Sequence, residues 1–185
     1  NFRQRFPVLS EEVETDIRLS YRGGFTYVND IYKEKEVGQG ICIDKTSMSP
    51  SKMVQKPLPY GMPEHFDGEY QYDESMPLYI QSISCCFDLK KNKIPNIQLK
   101  NNLSFIPNEY LASSNGEIVT LSLCSPDYEL FKENYHITHI TYNGGWKFKE
   151  CQGMFDKYIN YWMEQKIKAG KEGNKPLRQI AKLTT

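Results

Sequence analysis

Asp44 closes the short apolar run Gly40-Ile41-Cys42-Ile43 and is followed at once by Lys45-Thr46-Ser47-Met48-Ser49-Pro50. A carboxylate at the end of a buried strand, just before a turn into a helix, can hold a divalent cation in a cleft. Mg2+ suits such a place because it takes one or two carboxylates together with phosphate oxygens. The same side chain can instead accept hydrogen bonds from the turn that follows it. Spacing alone leaves both readings open.

A second group is cationic. Arg178 and Lys182 stand four residues apart on a predicted helix, so both lie on one face, where they can form a phosphate-binding stripe. A solvated face is the commoner use of such a pair. Lys166, Lys168, Lys171 and Lys175 add positive charge to the same end of the chain, which favours an anionic ligand there. Tyr21, Phe25 and Tyr27 alternate around Arg22, an arrangement able to stack on or track nucleic acid. On pattern alone, inward packing of one face is the simpler account, with Gly23-Gly24, which permit a turn at positive φ, merely letting the chain turn. His136 and His139 form an HxxH, but their stretch alternates as a strand and sends the imidazoles to opposite faces. His65 is isolated, so no histidine metal site is expected. Trp146 and Trp162 read as core residues.

The elements that must position these residues follow from periodicity and punctuation. The first twenty residues read as a polar segment. Gly40 to Ile43 is expected as a short buried strand ending on Asp44. Ser49 is expected to cap a helix with Pro50 at its first position, stopped by Pro57 and Pro59. Leu78 to Lys90 alternates, placing Ile83, Cys85, Phe87 and Leu89 on one strand face, with a turn at Asn92 and a returning hairpin partner over 94–99. A strand is expected over 116–124, a helix from Ser125-Pro126-Asp127 to about Asn134, a strand over 136–142 and a turn at Asn143-Gly144-Gly145. Phe155, Tyr158, Ile159 and Trp162 recur at helical spacing up to Gly170. Pro176 opens a last helix with Leu177, Ile180 and Leu183 toward the core. Strands and helices alternate irregularly, so the class is α+β with mostly antiparallel sheet and a few short helices. Boundaries are expected near Leu58-Pro59-Tyr60-Gly61 and near Gly153.

Composition sets the outer limits. The 185 residues suffice for one generous domain or two small ones. Hydrophobic residues at 39% and charged residues at 25% exclude a disordered or collagen-like chain. Lys+Arg and Asp+Glu both number 23, so net charge argues neither for nor against nucleic acid. The five cysteines include no CxxC, and Cys85-Cys86 are adjacent, which speaks against a zinc site or disulfide framework and fits a reducing cytoplasm. No apolar run approaches a membrane span and no signal peptide is visible, so no membrane partner is expected. The chain begins at Asn1 without Met and stops at Thr185 inside a helical pattern, as expected for a piece of a longer protein.

Taken in order, these segments resemble the protein-primed family B DNA polymerases of small Bacillus phages. The resemblance runs from Tyr21-Arg22-Gly23-Gly24-Phe25-Thr26 through Lys35-Glu36, the Asp44 segment and Leu58-Pro59-Tyr60-Gly61. It continues through Asn108-Glu109-Tyr110-Leu111, Ser113-Ser114, Gly116-Glu117-Ile118 and Lys147-Phe148-Lys149 to Gln179-Ile180-Ala181-Lys182-Leu183. It implies that Tyr21, Arg22, Gly23 and Gly24 form the YxGG motif that holds the primer–template. Asp44 falls at the first palm motif, DxxSLYP, and is implied as a metal-binding catalytic carboxylate beside the backbone carbonyl of Lys45, with Mg2+ or Mn2+ as cofactor. Ser47 and Arg178 are implied at DNA, and Lys45, Ser49, Lys166 and Lys182 at the incoming dNTP. Lys182 opens the fingers motif KxxxNSxYG. Residues 62–152 resemble the insertion that docks the terminal protein, the primer. The resemblance thus divides the chain into 1–61, linker and start of palm, then 62–152, the insertion, then 153–185, palm and start of fingers.

The sequence departs from the family in three places. Ser49 replaces the tyrosine that blocks a ribose 2′-OH, Thr46 replaces an asparagine, and no YxDTDS carboxylate motif is present. The expected function is therefore a DNA polymerase fragment, inactive alone, from a parent working in a phage host's cytoplasm. Two further readings stand beside it: a non-catalytic module that binds terminal protein or DNA, and a degenerate prophage remnant.

Overall fold

The computed structural model describes residues 2–45, 47–98 and 110–184. Thr46 and the Asn108-Glu109 part of the resemblance lie outside them. The chain forms two compact units, Asn1–Val37 with Tyr60–Lys149, and Gly38–Pro59 with Glu150–Thr185.

In the first unit, helices α1 (Phe2–Arg5) and α2 (Glu11–Leu19) occupy the polar opening segment. Ser10 caps α2 by accepting a hydrogen bond from the Val13 N–H at 3.4 Å, and Glu11, Glu12 and Glu14 fill its first turn, where negative charge suits the helix dipole. Strands β1 (Leu58–Phe66), β2 (Leu78–Leu89), β3 (Val119–Cys124) and β4 (Tyr135–Cys151) form one sheet in the order β1-β4-β2-β3. β2 pairs antiparallel with both β3 and β4, and helix α4 (Ser125–Asn134) packs on β2 and β3. The class is α+β, as the pattern implied.

Alternation along β2 puts Ile83, Cys85 and Phe87 into a core with Leu121, Leu123, Phe131 and Tyr135, and Leu89 packs against its edge. The Phe87 ring meets Phe131 and Tyr135 edge-on at 5.5 and 5.3 Å. Each fully buried side chain of this size contributes about 1.5–3 kcal/mol.

Two expectations fail here for long-range reasons. Residues 94–98 form no strand, because β2 already has β3 and β4 as neighbours. Pro95 lacks an N–H for a ladder, and the Asn96 N–H is satisfied at 3.0 Å by the Tyr135 hydroxyl, which itself donates to the Leu111 carbonyl at 2.9 Å. Asn143-Gly144-Gly145 is likewise no turn. It lies inside β4, where Ser82 opposes Gly144 and Ile83 opposes Tyr142, so Asn143 is the extra residue of a bulge. Gly144 has φ +88°, and a Cβ on it would stand 2.5 Å from the Phe66 carbonyl oxygen, while a Cβ on Gly145 would collide with the Ile80 carbonyl oxygen.

The Gln81 side chain, fully buried, holds this bulge in place. Its amide nitrogen donates to the carbonyls of Gly144 (2.9 Å) and Gly68 (3.0 Å), and its oxygen accepts from the Tyr70 N–H (2.8 Å). The loop before β2 and the bulge of β4 therefore share one amide.

The second unit contains α3 (Met48–Gln55), α5 (Asp156–Lys171) and α6 (Lys175–Thr184), with α3 and α6 both packed on α5. Asn174 caps α6 by accepting from the Leu177 N–H at 3.1 Å, and Pro176 sits in its first turn as expected. Gly170 does not end α5. The helix runs to Lys171, and Gly173, at φ +69°, supplies the left-handed residue after it. On α6, Ala181 is buried and Leu177 half-buried, while Ile180 and Leu183 are 53% and 78% exposed, so only Leu177 of the three expected residues turns inward. Ala169 on α5 is buried too, because the close approach of two helices takes the smallest side chains.

Segment 38–45 is not a strand, and Ile41 and Ile43 are 91% and 89% exposed. Among the described residues no strand pairs with it, and an unpaired extended segment cannot build a ladder. Trp146 and Trp162 are half-buried rather than core, and Trp146 Nε1 donates to Asp16 at 3.3 Å. Gly145→Ala should destabilise the protein by about 2–3 kcal/mol through this overpacking, read as a lower urea midpoint at unchanged slope.

Candidate functional site

The residues singled out above fall in both units. In the second, Asp44 and Lys45 are exposed on the segment that leads into α3. Among the described residues no three His, Cys, Asp or Glu side chains gather as metal ligands. Hard divalent cations want about six oxygens. The Asp44 carboxylate and the Lys45 carbonyl fit a contribution to such a set, and not the whole of it.

Ser49 was expected to cap α3, but the cap position is Ser47, two residues earlier, and Ser49 is an exposed residue of the first turn. Ser47 sits in the left-handed region (φ 50°, ψ 48°) and makes no side-chain cap bond. Its hydroxyl accepts instead from Lys166 Nζ of α5 at 2.8 Å. The structure thus joins Lys166 to Ser47, a pairing that no spacing in the sequence announces across 119 residues. Arg178 and Lys182 are both exposed on α6, and the Arg178 stem passes beside Gly170, about 3.8 Å from where a Cβ would stand.

In the first unit, residues 21–29 form no strand, so the aromatic alternation is not a sheet pattern. Phe25 packs against Tyr110 (ring centroids 4.8 Å) and Tyr27 (6.0 Å), and the Thr26 N–H donates to the Tyr110 hydroxyl at 3.2 Å. Tyr110 is the residue that sequence reasoning missed as an anchor, since its partner lies 84 positions away.

Arg22 is engaged inside the protein. Its guanidinium donates to the carbonyls of Gln98 (3.1 Å) and Ser122 (3.4 Å), the latter on edge strand β3. Burial lowers its pKa, and the nearby Asp127 carboxylate opposes that shift. Arg22, Gly23, Phe25, Ile94, Tyr110 and Leu130 are among the residues lining a cavity of about 500 Å³.

Gly23 and Gly24 permit a turn at positive φ, and neither takes one. A Cβ on either would meet nothing within 4 Å, so the fold of this unit places no demand on these glycines. His136 and His139 are exposed, and His139, at φ 53°, belongs to a second bulge of β4 opposite Cys85. All five cysteines are free thiols. Among the described residues no helix is long and apolar enough to cross a membrane.

With this geometry in place, the comparisons define the class. The sequence matches the family described as DNA polymerase type B, organellar and viral, along residues 1–185, and the chain belongs to that family. It is 47% identical over 182 residues to the DNA polymerase of Bacillus phage Nf and 45% identical over 182 residues to that of Bacillus phage phi29, covering 98% of this chain and 31% of each relative. The DNA polymerase of Streptococcus phage Cp-1 is 30% identical over 185 residues, covering 97% of this chain and 32% of that one. Among solved structures, phi29 DNA polymerase complexed with primer-template DNA and incoming nucleotide substrates superposes with a TM-score of 0.91 at 43% identity, covering 99% of this chain and 31% of that one. The chain therefore spans about a third of the length of the relatives it matches.

Arg22→Met should destabilise the protein by about 1–3 kcal/mol, because it removes a charged donor from two carbonyls. Urea unfolding measures this, and an unchanged midpoint would mean that both carbonyls find other donors.

Proposed function

We propose that this chain is part of a DNA-directed DNA polymerase that elongates DNA from a terminal-protein primer in the cytoplasm of a phage's bacterial host. The observation that carries the reading is Asp44, an exposed carboxylate at the turn into α3 in a chain whose whole length matches the polymerase family. Mg2+ or Mn2+, when bound, would supply charge stabilisation at the transferring phosphoryl group and at the attacking 3′-oxygen. Asp44 and the Lys45 carbonyl would hold one side of that site. The remaining carboxylates would come from elsewhere in the longer protein.

Several of the other residues have parts that their placement supports, whereas Arg22 is taken up by the Gln98 and Ser122 carbonyls. Lys166 and Lys182, on α5 and α6, would neutralise dNTP phosphates, and Arg178 would face DNA. Gly23 and Gly24 favour a role at primer–template, since small residues let a nucleic-acid backbone approach closely and the fold gives no other reason for them. Residues 62–152 would dock the terminal protein, while 1–61 and 153–185 would form linker, palm and the start of fingers. The exposed Ile41 and Ile43 suit a strand that is completed by further palm strands.

Binding without chemistry is the second reading, and one observation favours it for the chain taken alone. The first unit has its own core, whereas Asp44 has no gathered carboxylate partners among the described residues.

Ser49 gives the functional reading a direct test. An exposed serine on the first turn of α3 is too small to clash with a ribose 2′-OH. In the full-length polymerase, Ser49→Tyr should raise discrimination against ribonucleotides by about 10-fold or more, measured as the ratio of kcat/KM for dNTP and rNTP. An unchanged ratio, in an enzyme that extends primers, would remove Ser49 from the nucleotide site. Absence of extension by the full-length enzyme would remove the polymerase reading itself.

A further inference from the structure

Ser47 combines three features whose sum is unusual. It is a non-glycine residue at positive φ, it stands at the N-cap of α3 without capping it, and its hydroxyl accepts a hydrogen bond from a lysine of another helix. An N-cap serine ordinarily takes extended φ/ψ and accepts from the N–H of the second or third helical residue. Here the third helical residue is Pro50, which has no N–H. The Met48-Ser49-Pro50 sequence therefore removes one of the two usual partners, and the Ser47 hydroxyl turns to Lys166 at 2.8 Å instead. Left-handed backbone is disfavoured for a residue with a Cβ, so something outside the local sequence must hold it. Lys166 is the group that the structure places there.

We propose that Lys166 is a positioning residue, holding Ser47 in its left-handed conformation at the start of α3, three residues along the chain from Asp44. The inference rests on the polymerase reading for its consequence, since the turn matters because Asp44 is to hold a metal ion. The contact itself is a property of this unit. An ammonium group carries three donors, so the bond to Ser47 leaves two for a nucleotide phosphate. Lys166 can thus meet nucleotide on one side and hold the metal-binding turn on the other. Loss of the lysine would let Ser47 relax toward extended backbone, and Asp44, three residues away in sequence, would lose that fixed neighbour.

The test uses the full-length polymerase with Lys166→Met, Lys166→Arg, Ser47→Gly and the Lys166→Met/Ser47→Gly double variant. Glycine takes positive φ without a holder, so Ser47→Gly should rescue the lysine loss. Amide hydrogen exchange over 47–51 should speed up by about tenfold in Lys166→Met, the factor that a left-handed penalty of ~1.4 kcal/mol converts to. It should return toward wild type in the double variant and stay near wild type in Lys166→Arg, which keeps a donor and controls for folding. In primer extension, the Mg2+ half-saturation of Lys166→Met should rise by a similar factor, and the double variant should recover most of it. The proposal is overturned if exchange over 47–51 is unchanged, or if the two substitutions act additively and only the dNTP KM rises, because the lysine would then serve the nucleotide alone. Should the wild-type enzyme extend no primer, the polymerase reading fails separately, and the exchange rates still decide the contact.

Discussion

The organisation of the first unit depends on one constraint, the burial of β2 between two neighbours with a polar amide at its centre. A strand paired on both edges must place every inward side chain in a core and leave no donor or acceptor idle. Ile83, Cys85 and Phe87 meet the first demand, and Gln81 meets the second. Its amide reaches the bulge of β4 and the loop before β2 together, so an apolar substitute would strand the Gly68 carbonyl and the Tyr70 N–H at once. The bulge in turn requires Gly144 and Gly145, because the Phe66 and Ile80 carbonyls occupy the space a side chain would need. Sheet order, glycine placement and loop conformation thus follow from how one strand is enclosed.

The second unit is governed differently. It has few buried residues among those described, with Ile159, Ala169 and Ala181 the buried hydrophobic side chains of its helices α5 and α6. Of the residues proposed for the site, Asp44 and Lys45 lie on a segment without regular structure, Arg178 and Lys182 are exposed on α6, and Lys166 is half-buried on α5. Such a unit supplies chemistry only when its geometry is fixed by specific contacts, and the Lys166–Ser47 bond is one of them. This contrast is consistent with the proposed roles, a platform for the first unit and one side of a nucleotide site for the second.

Elements whose signals are local were legible in the sequence. The period-2 alternation of Ile83, Cys85 and Phe87 gave β2 and its face, and Ser125-Pro126 with Asp127 gave α4 to its last residue, Asn134. What failed was decided by groups distant in sequence. Asn143-Gly144-Gly145 carries turn chemistry but serves a bulge, and 94–98 alternates but is taken up by the Tyr135 hydroxyl. Ile41 and Ile43 have the composition of a buried strand, yet nothing among the described residues pairs with them. Of the site, spacing offered Asp44 and the Arg178–Lys182 stripe only as open alternatives. The colinear resemblance to polymerases gave them roles, and neither spacing nor resemblance revealed Tyr110 as the anchor of the Phe25 segment.

The central claim is that this chain contributes one metal-binding carboxylate, Asp44, to a site completed by the rest of the polymerase. Electron paramagnetic resonance titration of Mn2+ into the full-length enzyme, with a non-extendable primer–template and dNTP bound, tests it most directly. The account predicts that Asp44→Asn weakens binding of at least one Mn2+ by about tenfold or more, while primer–template affinity is retained. Equal Mn2+ stoichiometry and affinity in the two proteins would contradict it.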